Sequence, residues 1–517
     1  MNTTLGKIKS HFMNWREWEP NPIVIKELRQ AVRSWAVTGM LLLFLTVLFI
    51  ASLAFLISQS FAVDSTMGLG GEMFSVFAVI LGVASILFIP LYVGVRVAAE
   101  RQENNPDLFY ISTLSPARII RGKFLCGAYV AVLFFSACMP FMAFTNLLRG
   151  VDLPTVFSIL FYIFLTVCSV NMLAIFFACL PLSRPFKILI ALAGFFASFW
   201  LIIPVMMFSF RMMGMGVGTM MGGHVFWIET ITKIGIGALV TGLFYVLSVA
   251  LISPPSVNRA LPVRLYITAI WLLGGLLNLA WIWQVREPQL IGVWSVYSCV
   301  LMVLSLVVIV SNSDQLSQRV RRDIPISRFK RACSFLFFNG AAGGLVWVTM
   351  ITVLTICGAL LVFLNGDAWF PKSGFIFSSE STDFITSSVA GLAYAFDYAL
   401  TALFIQRKFF PKRPAKLAGL LAVLLAAGWA LLPSLILFFL NELNWKSIEG
   451  LQLGNVFNVF STLRDDSERN LHLLFSGIWL VLAILVNANW FSRQVKAFRP
   501  LDNIEKPPVI VEVPPVT

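Results

Sequence analysis

Twelve apolar runs, each about long enough to cross 30 Å of hydrocarbon as a helix, recur along this chain and leave little sequence between them. Read in windows of about 19 residues, they fall near 36 to 62, 73 to 99, 124 to 148, 155 to 182, 188 to 210, 234 to 253, 265 to 284, 289 to 311, 335 to 364, 387 to 405, 417 to 440 and 471 to 491. A backbone in lipid must satisfy its own hydrogen bonds, so runs of this length are helices. With 58% hydrophobic and only 12% charged residues, a soluble enzyme and a disordered chain are both excluded. The expected fold is all-α: a polytopic integral membrane protein with about 12 transmembrane helices. Only Arg149 to Pro154 separates the third run from the fourth, and the run from 335 begins outside the bilayer, so eleven or thirteen spans also fit.

Charge sets the orientation. Taking alternate loops, 30 of the 38 Lys and Arg fall on one side, and net charges of +19 and −5 face each other across the spans. Lys and Arg gather in cytoplasmic loops, so both termini are expected in the cytoplasm. The net charge of +13 is thereby explained by topology, with no nucleic acid as partner. The seven cysteines lie in or beside apolar runs with no CxxC, and His11, His224 and His472 are far apart. We expect no disulfide framework, no metal, no cofactor and no catalytic dyad. The polar first 35 residues do not form a cleavable signal peptide.

The chain breaks most naturally at Pro254-Pro255-Ser256-Val257-Asn258-Arg259, after six spans. The expected organisation is a cytoplasmic N-terminus at 1–35, a six-span domain at 36–264, a second at 265–491, and a Pro-rich tail at 492–517. In each set the second span leads into a basic loop, Glu100 to Lys123 and Asn312 to Arg331, so a degenerate duplication and plain topology both account for the pattern.

Residues 21 to 35 form an amphipathic helix by arithmetic. At 100° per residue, Val24, Ile25, Leu28, Ala31, Val32 and Trp35 share one arc and Lys26, Arg29 and Arg33 another. Such a helix lies in the interface, bases toward anionic headgroups. In the first basic loop, Pro106-Asp107-Leu108-Phe109-Tyr110 opens a short helix, and Ser115-Pro116 supply an N-cap and N1 proline for the next, which runs into the third span. Leu108, Phe109 and Ile111 on an exposed short helix call for a partner surface.

At these residues the chain resembles ABC-2-type ABC transporter permeases, the exporter class of membrane subunits. The resemblance rests on NPIVIKELRQAVRS, an ER pair at Glu100-Arg101, the DL-containing short helix, the TLSP turn, the RxxRGK stretch ending at Lys123, and SPPSVNRALPVR at Ser253 to Arg264. It covers residues 15 to 264; beyond them only SFLFFNGAAGG, at Ser334 to Gly344, is similar. The resemblance implies an elbow helix carrying Lys26, Glu27, Leu28, Arg29 and Arg33, and a multi-pass place in a cell (inner) membrane. It implies that Glu100, Arg101, Asp107, Leu108, Phe109, Ile111, Ser115 and Pro116 form the region that docks on an ABC ATP-binding subunit. The usual permease has six spans, and the six further ones leave a homodimer and a pseudo-dimer of halves both open. No GxxxxGK[ST] phosphate loop occurs, so ATP hydrolysis is expected in a separate partner subunit and the chain itself is no enzyme.

Two features stand outside that reading. Five methionines between Met212 and Met221 suit Cu(I) by ligand type, although a glycine-rich apolar stretch also suits a re-entrant turn. Asp397 is the carboxylate well inside a span. Ion coupling or substrate contact would explain it, as would a hydrogen bond to Asn339 or Asn487 on another span. Accordingly an ion-coupled secondary transporter is the alternative to an exporter. A membrane-embedded transferase would need several convergent acids or histidines.

Overall fold

The structure, a computed structural model, describes residues 22–59, 69–102, 115–148, 151–180, 194, 203, 207, 224–254, 256–285, 290–369, 379–440, 451–461 and 466–500. Among them every regular element is helical. Eleven helices are long and apolar enough to cross a membrane. This is an all-α, multi-pass membrane protein of transporter-like build. The remaining expected span, 188 to 210, lies outside the described residues except for Gly194, Ile203 and Met207, as does the methionine-rich stretch.

The chain forms two compact units, Met1–Pro254 and Pro255–Thr517. In the first, α1 (Pro22–Val32) precedes the spans α2 (Trp35–Gln59), α3 (Leu69–Gln102), α4 (Pro116–Leu147), α5 (Leu153–Cys179) and α6 (His224–Ile252). The centre is α3, packed on α4 and α5 through Phe74, Phe77, Leu81, Ile86 and Ile89, all at most 1% exposed. Phe134 of α4 meets Phe44 of α2 with ring centroids 5.3 Å apart. Lipid tails offer no hydrophobic drive between helices, so such interlocking contacts do the holding. The outward apolar residues, among them Leu42, Phe49, Phe157 and Phe161, are exposed, as lipid-facing side chains should be. Pro90 and Pro140 sit inside α3 and α4 without ending them.

The second unit contains α7 (Ala260–Val285), α8 (Ile291–Val310), the short α9 (Gln318–Arg322) and α10 (Arg328–Phe335), then α11 (Ala341–Trp369), α12 (Ser379–Phe409), α13 (Lys416–Leu440), the short α14 (Val456–Ser461) and α15 (Asp466–Ala497). Its centre is α12, flanked by α8, α13, α14 and α15. Residues 256 to 264 fold within this unit and lock onto the SFLFFNGAAGG stretch. The buried Arg264 guanidinium, 2% exposed, donates to the carbonyls of Leu336 and Phe338 through Nη1 (2.7 and 2.8 Å) and of Gly340 through Nη2 (2.9 Å). Asn258 Nδ2 donates to the Phe337 carbonyl at 3.1 Å, and the Ala260 N–H donates to Asn339 Oδ1 at 2.9 Å. A helix leaves its last carbonyls without intrahelical partners, and here Arg264 supplies donors where α10 ends.

Asp314 completes this knot by accepting from the Ala341 N–H (3.1 Å) and from Trp490 Nε1 (3.0 Å). Burial pushes its carboxyl above the usual range, against the opposing pull of these two bonds and of Arg407.

The close approach of the end of α10 to the first turn of α11 requires glycine at 343, where an added Cβ would lie 2.0 Å from the Phe335 carbonyl oxygen. Backbone cannot move aside as a side chain does, so Gly343→Ala should cost about 1–3 kcal/mol, the range for overpacking. Gly39→Ala, where nothing lies within 4 Å, should be near neutral. Unfolding midpoints of the two purified variants in one detergent check this; equal midpoints would remove the close approach.

Of the seven cysteines, Cys126, Cys138, Cys168 and Cys179 are buried as small core residues, whereas Cys333 and Cys357 are exposed.

Candidate functional site

The elbow region forms as its pattern requires, with one difference in the face it buries. Helix α1 covers Pro22–Val32, and a turn at Arg33-Ser34 leads into α2. Ala31 is buried and Leu28 packs against the core, but Ile25, Val32 and Trp35 are exposed, Trp35 by 83%. Glu27, which the helical arithmetic leaves off the apolar arc, is 5% exposed. Lys26, Arg29 and Arg33 point outward.

The reason lies 96 residues away. Lys123, itself 5% exposed, stands in the second turn of α4 and places its Nζ 3.2 Å from Glu27 Oε1. The same ammonium bonds Glu100, at the end of the α3 span. One cation thus ties together the elbow helix and both ends of the 100 to 123 loop. Removing charges from water costs several kcal/mol each, and two carboxylates on one ammonium offset that cost. Beside the clamp, Arg96 donates from Nη1 to Tyr92 Oη at 2.7 Å and from Nη2 to Gln30 Oε1. Tyr245 of α6 donates to the Ala117 carbonyl at 3.3 Å, fixing the first turn of α4 from another side.

Ser115 and Pro116 take the positions expected of them: Ser115 is the extended N-cap residue and Pro116 opens α4. The Ser115 hydroxyl makes no capping bond; its carbonyl accepts from the N–H of Arg118 at 2.9 Å instead. Arg101 lies in the last turn of α3. Its side chain, together with Asp107, Leu108, Phe109 and Ile111, lies outside the described residues.

Asp397 is fully buried in α12, and neither carboxylate oxygen has a hydrogen-bond partner among the described residues. Neither asparagine suggested by the sequence pairs with it. Asn339 sits in the turn before α11 and is engaged with Ala260 and Val257. Asn487 donates to the Leu400 and Ala483 carbonyls and accepts from Arg407, toward the basic end of α12.

Sequence reading also missed a buried polar cluster around the 451–461 turn. The Gly454 N–H donates to Tyr394 Oη at 3.2 Å, which leaves the Tyr394 hydroxyl proton for His472 Nδ1 at 3.0 Å. His472 Nε2–H then donates to Asn458 Oδ1 at 3.1 Å, an oxygen that also accepts from the Gln452 N–H at 2.8 Å. This chain of donors fixes the neutral Nε2–H form of the imidazole. Tyr398 donates to the Gly454 carbonyl. The signal in the sequence was Gln452, Asn455 and Asn458 at three-residue spacing in a stretch read as a plain outer loop.

Comparison with family models, with curated proteins and with solved structures finds no match to this chain. What it does therefore rests on the arrangement of its own residues. Two constellations stand out: the Lys123 clamp at the foot of a loop, and the buried, unpartnered Asp397.

Proposed function

We propose that the chain is the transmembrane permease subunit of an ATP-driven exporter of the ABC-2 type, in a cell membrane, with ATP hydrolysis in a separate subunit that docks on the region from Glu100 to Ser115. The observation that carries this reading is the Lys123 clamp. A loop whose two ends are held by one buried ammonium moves with the interfacial helix held by the same ammonium. A push on such a loop reaches α1, α3 and α4 together, which is what coupling to an external motor requires. The order of the NPIVIKELRQAVRS, ER, DL, TLSP and RxxRGK motifs supports the same assignment.

In this reading Leu108, Phe109 and Ile111 are the anchors in the ATPase cleft, and Glu100, Arg101 and Asp107 provide oriented polar contacts around them. Replacing Leu108 and Phe109 together by Ala should lower subunit affinity by about 2–4 kcal/mol, as for interface hot spots. ATPase copurification and stimulated hydrolysis, normalised to membrane expression, measure this. Neutralising Arg319, Arg321 and Arg322 should have a smaller effect unless the second unit carries a coupling site of its own. Unchanged association in the double mutant would remove the coupling assignment.

Asp397 favours a second reading, an ion-coupled secondary transporter, because a buried carboxylate without a described partner is the kind of group such carriers use. Transport by proteoliposomes separates the two. Export that requires the ATPase and survives Asp397→Asn supports the first reading; ATP-independent transport abolished by Asp397→Asn supports the second.

A further inference from the structure

The outer side of α1 and the adjoining end of α3 form a groove of about 740 Å³ that opens sideways. Its two ends differ in chemistry. At one end stand three guanidinium groups, those of Arg29, Arg33 and Arg96, with no carboxylate in the lining. The acids nearest in the fold, Glu27 and Glu100, share Lys123, and Glu27 also attracts Arg96, so the four cations Arg29, Arg33, Arg96 and Lys123 exceed these two carboxylates by two charges. Arg29 and Arg33 are exposed and form no ion pair among the described residues. Arg96 is held by the neutral partners Tyr92 and Gln30, which orient its charge without cancelling it. At the other end the wall is apolar: Ala36, Phe88, Leu91 and Val95. From Arg96 back to Phe88 is eight residues of helix, about 12 Å at 1.5 Å per residue, so the groove runs from the interface into the hydrocarbon. Trp35, exposed next in the chain to the lining residues Ser34 and Ala36, suits the level where amphipathic aromatic residues sit beside lipid headgroups.

We propose that this groove binds an anionic phospholipid, its headgroup phosphate among Arg29, Arg33 and Arg96 and the upper part of one acyl chain along Phe88, Leu91 and Val95. Charge selects the occupant. A zwitterionic lipid brings no net charge to balance three cations, and free phosphate makes no use of the apolar wall. The inference depends on the membrane setting of α1 and α3 and not on the ATPase partner, so it stands or falls separately from the proposed function.

The test uses the full chain purified in detergent, stripped of lipid, and titrated with phosphatidylglycerol, phosphatidylcholine or inorganic phosphate, with bound lipid counted by native mass spectrometry. Phosphatidylglycerol should bind in preference to the other two. Arg29→Gln with Arg33→Gln should weaken it about 30-fold, taking roughly 1 kcal/mol per basic residue at an anionic membrane surface. Leu91→Trp, which fills the apolar wall and leaves every charge in place, should also weaken it, while Arg321→Gln with Arg322→Gln, in the second unit, should not. Equal binding of phosphatidylcholine, competition by phosphate at the same concentration, or unchanged phosphatidylglycerol affinity in Leu91→Trp would each overturn the proposal. Should the arginine variant not fold, Leu91→Trp decides alone.

Discussion

Lys123→Met should lower the stability of the first unit by about 3–5 kcal/mol, the range for removing one partner of a buried ion pair. The substitution keeps the unbranched side chain as far as Cε, and with it most of the packing, but takes away the cation between two carboxylates. Glu27, 5% exposed, then loses its ion-pair partner, and Glu100 loses the same one. Glu27→Gln alone should cost less, because the ammonium keeps Glu100. Combined with Lys123→Met it should recover part of the loss, since the stranded buried charge is gone. Thermal unfolding of the four proteins in one detergent gives the cycle, and the pair counts as coupled if the double mutant is more stable than Lys123→Met. A Lys123→Met protein that unfolds with wild type would show that the clamp holds nothing. In the proposed permease the same variant should still bind the ATPase through Leu108, Phe109 and Ile111 yet support transport poorly, because the loop no longer carries α1 with it.

Arg264→Ala should be as damaging to the second unit, at least about 3 kcal/mol at roughly 1–3 kcal/mol for each buried carbonyl left without a donor. Three carbonyls, those of Leu336, Phe338 and Gly340, lose their donors at once, and a cavity opens next to Gly344, whose added Cβ would meet Arg264 Nη2 at 2.6 Å. Arg264→Lys should recover only part of this. An ammonium is a point charge on a flexible stem and does not reproduce the planar fork that spans carbonyls on both of its nitrogens. Limited proteolysis in the 312 to 334 loop, together with the unfolding midpoint, should rank wild type, Lys and Ala in that order. Wild-type behaviour of Arg264→Lys would mean that charge, and not the fork, is what the turn needs.

The local pattern carried much of the fold. Hydropathy located some spans to within two residues, as at α8, expected at 289 to 311 and found at Ile291–Val310, and α13, expected at 417 to 440 and found at Lys416–Leu440, but α4, α6 and α12 begin eight to ten residues earlier than expected because the helices extend past their apolar stretches. The pattern failed where a residue's partner is distant or is backbone. Lys26 and Glu27 look alike as neighbouring polar residues of an amphipathic helix; only the fold brings Lys123 to one of them. Arg264 was counted as a loop residue because an unpaired guanidinium does not belong in a span. Three carbonyl acceptors let it stand in the second turn of α7, and carbonyl acceptors leave no trace in side-chain composition. The 451–461 turn was hidden for a third reason. Polar residues between two spans read as solvent-facing, yet Gln452, Asn455 and Asn458 are nearly fully buried.

That turn also bears on how the protein is made. Its polar groups find their partners on α12 (Tyr394 and Tyr398), on α13 (Ser434, whose hydroxyl donates to Gln452 Oε1 at 2.9 Å) and on α15 (His472). Gly454 adopts a φ of +90° and lies against Trp429, so its conformation and its surroundings are fixed together. Non-helical backbone at membrane depth is tolerated only inside protein. The ribosome delivers α12 and α13 first, then the turn, and α15 last, so His472 does not exist when the turn emerges. The turn therefore cannot complete its hydrogen bonds until α15 has been made, and its burial is a late step in the maturation of the second unit.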